Sequence, residues 1–141
     1  MTQPDRDLRA EVKSLAVEVQ AAIDDVPQLW PTSSIFADIV RYATTLNATD
    51  SCRLVSDSWD AAVAVGKEDS NHEKMGYLFA AANSLCHAAK NAQELEASLN
   101  ANMREPKQST LHASYEQKYD TMVEIVRLRL GDYWAIDWNN S

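Results

Sequence analysis

Residues 70–106 read SNHEKMGYLFAAANSLCHAAKNAQELEASLNANMREP. Ser70 and Glu73 stand in capping-box register, where the serine oxygen accepts an early amide of a helix and the glutamate reaches back to the cap. Pro106 ends the run, because proline has no amide hydrogen and its ring collides with the preceding turn. Between them the apolar residues fall on a seven-residue repeat. Met75, Ala82, Ala89 and Met103 form one row, Leu78, Leu85, Ala92 and Leu99 the other, and only Glu96 interrupts. The stretch Tyr77 to Ala89 is rich in alanine outside those rows as well, which suits a helix approached closely by several neighbours. The pattern predicts one long central helix over about 70–104. The alternative use of such a seam is pairing with a second copy of the chain.

Outward from this helix the remaining segments read as its partners. Leu8, Val12, Leu15, Val19 and Ile23 recur at helical steps between Pro4 and Asp25, with Asp5 and Asp7 at the positive end of the helix dipole. Pro27 and Pro31 bracket Trp30 and forbid continuation. Thr32, Ser33 or Ser34 caps a second helix carrying Ile35, Phe36, Ile39, Val40, Ala43 and Leu46. A third runs from Asp50 to Val65 with Cys52, Val55, Trp59, Ala62 and Val63 inward and Gly66 as its stop. Ser109 or Thr110 caps a fifth, in which Leu111, Tyr115, Tyr119, Met122, Val126 and Leu130 share a face up to Gly131. The end of the chain also alternates apolar and polar around Gly131-Asp132, so a short hairpin over 125–138 is the competing reading there. Helix to about Leu130 is preferred, because a lone two-stranded ribbon is marginal in water.

The expected fold is therefore all-α: one domain, residues 1–141, built as a bundle of about five helices. Three glycines in 141 residues agree with it. No apolar run approaches the roughly 20 residues that cross a bilayer, so no membrane contact is expected. A formal charge of −8 with no basic stripe argues against direct binding of nucleic-acid phosphates. The acids concentrate in the first half, 12 against 6 bases over residues 1–70. An acidic face of that kind steers a basic partner or imitates a nucleic-acid backbone. The polar N-terminus lacks an export pattern, which places the chain in the cytoplasm and makes the Asn47-Ala48-Thr49 sequon accidental. Cys52 and Cys86 sit in apolar helical patterns and read as reduced core thiols, a disulfide between them being the alternative.

Chemistry-bearing patterns are sparse. His112, Glu116 and Asp120 follow one another at four-residue steps, so one helical face presents ligand types a divalent metal accepts. Metal sites in bundles draw ligands from several helices, often as Glu-x-x-His, which this chain lacks. Glu68 with His72, the lone His87 and the pair Asp57 and Asp60 fit solvated helix surfaces. No cofactor is implied. Tyr133, Trp134, Ile136 and Trp138 crowd the end of the chain, and Trp30 sits between two prolines. Such rings either close the bundle or anchor a partner. The resulting expectation is a cytoplasmic, non-enzymatic interaction protein, an adaptor, regulator or inhibitor. It works through a helical, partly acidic surface with Trp134, Ile136, Trp138 and Trp30 as contacts. Its partner is a protein, a second copy of the chain included. A helical enzyme or metal-dependent binder using His112, Glu116 and Asp120 is the alternative, and an acidic nucleic-acid mimic the third.

Overall fold

The computed structural model describes residues 7–25, 33–44, 53–54, 72–101 and 106–136. These form four helices: α1 (Leu8–Asp24), α2 (Ser33–Thr44), α3 (His72–Ala101) and α4 (Pro106–Trp134). No strand occurs among the described residues. The fold is all-helical, with four helices described in place of the five expected. Of the expected third helix only Arg53 and Leu54 are described. Both are helical, and Leu54 packs against the core.

α3 is the central helix. Its 30 residues span about 45 Å at 1.5 Å per residue. Met75, Leu78, Ala82, Leu85, Ala89 and Ala92 of the seven-residue rows are all buried, as are Ala81 and Ala88 beside them. The seam is therefore covered by the chain's own helices. Leu99 and Met103 lie outside the described side chains. Glu96, the break in the pattern, has a structural cause: it takes a forked ion pair from α1. Arg9 Nε donates to its Oε2 at 3.1 Å and Nη2 to its Oε1 at 2.9 Å. This carboxylate raises the Arg9 pKa above its ordinary value, chiefly through the hydrogen bonds. Because the arginine is well exposed, Arg9→Gln should barely move the thermal midpoint, and the difference should vanish in 1 M salt.

α1 begins where the sequence offers a cap, the Asp7 carboxylate accepting from the Ala10 amide at 3.1 Å. Leu8, Val12, Leu15, Val19 and Ile23 are buried as spaced. α2 contributes Ile39, Val40 and Ala43 to the same core. Cross-helix bonds fix the directions. Arg9 meets Glu96 at one end of α1, and Asp25 meets Lys74 at the other, so α1 and α3 are antiparallel. Glu11 meets Tyr119, Glu18 meets Arg127 and Ala22 meets Tyr133, so α1 and α4 run parallel.

Three expectations are corrected. Pro106 opens α4 where a cap at Ser109 or Thr110 was expected. The first helical position needs no amide hydrogen and suits the fixed φ of proline. At the other end α4 continues through Gly131 to Trp134, and the hairpin over 125–138 is not formed among the described residues. Continuing the helix brings Tyr133 onto the same buried face as Val126 and Leu130. Its hydroxyl proton is then shared between the Ala22 carbonyl at 2.9 Å and Asp25 Oδ2 at 3.0 Å, a second donor for a carbonyl that the Asp25 amide also reaches. Gly131 faces open space, where its missing side chain matters little. Finally, Cys86 is fully buried and disulfide-bonded rather than a reduced thiol. The chain's other cysteine is Cys52. Helical spacing places each sulfur on an apolar face but does not say that the two faces meet.

Lys74 is the one buried ammonium among the described residues. Its side chain is 4% exposed, with Nζ 3.5 Å from Asp25 Oδ2 and 4.6 Å from the centre of the Tyr133 ring. The ring face and the carboxylate share the charge, and Tyr133 is held from both sides. The ends of α1 and α4 are thereby fastened to the start of α3.

Candidate functional site

α1 and α4 lie side by side and leave an open groove along their outer edge, with a volume of about 420 Å³. Glu11 and Ser14 line it from α1. Tyr119, Asp120, Val123, Glu124 and Arg127 line it from α4. Two side-chain bridges join α1 and α4 here. The Tyr119 hydroxyl donates to Glu11 Oε1 at 3.3 Å, and one heptad further along α1 the Arg127 guanidinium holds Glu18, Nη2 to Oε2 at 3.1 Å. The Glu18 carboxylate, mainly through these hydrogen bonds and against some desolvation, raises the Arg127 pKa. The one cation lining the groove is thus committed to a glutamate, and Glu11, Asp120 and Glu124 leave the lining acidic. A volume in the small-ligand range with so open and polar a wall suits a side chain or peptide better than an enclosed metabolite.

The sequence-predicted residues fall unevenly around it. Asp120 lines the groove and is exposed; Glu116, one turn earlier, is half-buried; the His112 side chain lies outside the described part. Among the described residues no group of three His, Cys, Asp or Glu side chains is arranged to hold a metal ion. Trp134 is 48% exposed and meets the Tyr133 ring edge-on, with centroids 5.1 Å apart. It belongs to the groove's side of α4, because Asp120, Arg127 and Trp134 recur at seven-residue steps along that helix. Ile136 is half-buried just past the helix. Trp30 and Trp138 lie outside the described residues, as do Asp57, Asp60 and Glu68; His87 is exposed on α3. Val17 and Leu128 are more exposed than Trp134 but do not line the groove. Single apolar residues on a surface are ordinary.

No family model matches the chain, and no curated protein or solved structure is significantly similar to it. The reading of the site therefore rests on its geometry alone.

Sequence reasoning did not find Glu11, Ser14, Tyr119, Val123, Glu124 or Arg127 as one site. Tyr119 and Glu11 are separated by 108 positions, and periodicity within a helix carries no information about which helix lies beside it. The available hint was charge register. Glu11 and Glu18 stand seven apart on α1, matching a tyrosine and an arginine eight apart on α4.

Proposed function

We propose that this is a non-enzymatic interaction protein, an adaptor, regulator or inhibitor, whose binding face is the outer edge of the α1 and α4 pair. The observation that carries this reading is the coincidence on one side of α4 of an acid-lined groove and a half-exposed tryptophan. Carboxylates around an open groove favour a basic protein segment and raise its association rate, while a tryptophan at the groove's end supplies the apolar contact that dominates binding energy. The partner is then a protein with a Lys- or Arg-bearing surface and an apolar residue beside it. A second copy of this acidic chain is a poorer occupant on charge grounds. The mimic of a nucleic-acid backbone is a special case of the same face, in which the partner is a nucleic-acid-binding protein.

The test begins with tagged wild-type protein as bait in cells that make it, beside Trp134→Ala and Glu124→Lys baits whose helicity matches the wild type. A direct partner, purified and titrated, should bind Trp134→Ala roughly 30-fold more weakly, the effect of losing about 2 kcal/mol at an aromatic anchor. Glu124→Lys should mainly slow association, with the wild-type rate falling as salt is added. A partner held equally well by both variants would remove this face from consideration. The reading does not depend on a cytoplasmic setting.

A further inference from the structure

We infer that the disulfide of Cys86 is a permanent structural crosslink, and that the protein matures and works where disulfides persist rather than in the reducing cytoplasm expected from its N-terminus. Cys86 is 0% exposed on the core side of the central helix, and no cysteine is free among the described residues. A bond used as a redox switch needs a sulfur that an incoming thiolate reaches along the S–S axis, and such sulfurs are exposed or strained open. At Cys86 the attacking thiol has no path until the fold opens.

The position of the bond says what it does. Its only available partner in the chain is Cys52, adjoining the helical pair Arg53–Leu54, and Leu54 packs against the core. The bond therefore ties the chain between α2 and α3 to the middle of α3. Closing a loop from 52 to 86 removes much of the freedom of the unfolded chain, which is where a crosslink of this length exerts most of its effect. Bonds of this kind form and survive in oxidising compartments and are rare in the cytoplasm. The inference is independent of the binding face proposed above.

Two measurements test it on the intact protein. Cells that naturally make it are quenched in acid, and free thiols are blocked with N-ethylmaleimide before and after denaturation without reductant. Mass spectrometry should find no adduct on Cys52 or Cys86. The purified protein is then melted with and without reductant, after the bond has been opened in denaturant and the protein refolded reduced. The reduced form should melt about 10 °C lower, and the native bond should withstand millimolar dithiothreitol that opens it rapidly in urea. Adducts on both cysteines in quenched cells, rapid reduction of the native protein, or an unchanged melting temperature would each overturn the inference.

Discussion

Tyr133→Ala should destabilise the protein by about 3–5 kcal/mol, the range for removing a large, fully buried ring from a core. Three losses combine there. The ring volume goes, the Ala22 carbonyl at the end of α1 loses one of its two donors, and the buried Lys74 ammonium loses the aromatic face at 4.6 Å. Tyr133→Phe separates them, because the ring and its contact with Lys74 stay while the hydroxyl leaves. It should cost about 0.5–1.5 kcal/mol, the net worth of one hydrogen bond, because the Ala22 carbonyl keeps the Asp25 amide as a donor. Urea unfolding of the two variants beside the wild type measures both. A loss under 1 kcal/mol for the alanine variant would show that α4 does not fasten the end of α1 as described.

Leu85→Ala should cost about 2–5 kcal/mol. Leu85 is 0% exposed at the centre of α3, among alanines too short to move into the space it vacates. The cost should sit at the upper end of that range for this reason, since the spread among such substitutions reflects how far the surroundings collapse. Leu128→Ala on the exposed crest of α4 is the control, with 58% of the leucine already in water. Its effect should stay within about 0.5 kcal/mol. If the two leucines responded alike, the assignment of α3 as the core helix would fail.

The central helix was legible because its apolar rows and alanine content are local and periodic, and burial followed them from Met75 to Ala92. Glu96 stood out as the one exception, and its reason lay in Arg9, on a different helix. The errors came from residues whose local signal has two meanings. Glycine at 131 marks a helix end or sits in a helix at a cost of about 1 kcal/mol relative to alanine, and burial of Tyr133 decides for the second. Proline at 106 ends one helix or begins another. Cysteines 52 and 86 are reduced or joined according to whether their helical faces meet, which no spacing within a segment specifies. The groove was the least legible feature, because its two walls come from opposite ends of the chain. Only Asp120 had been singled out among its lining residues, and for a different chemistry.

The hydroxyl of residue 133 adds a second donor to the Ala22 carbonyl, which the Asp25 amide already reaches in the final turn of α1. During synthesis the first helix therefore leaves the ribosome with its last turn held by local bonds alone, and it stays so until more than a hundred further residues have been added. Nascent chains arrested before that tyrosine emerges should fray at Ala22 to Asp25, however well the earlier turns have packed.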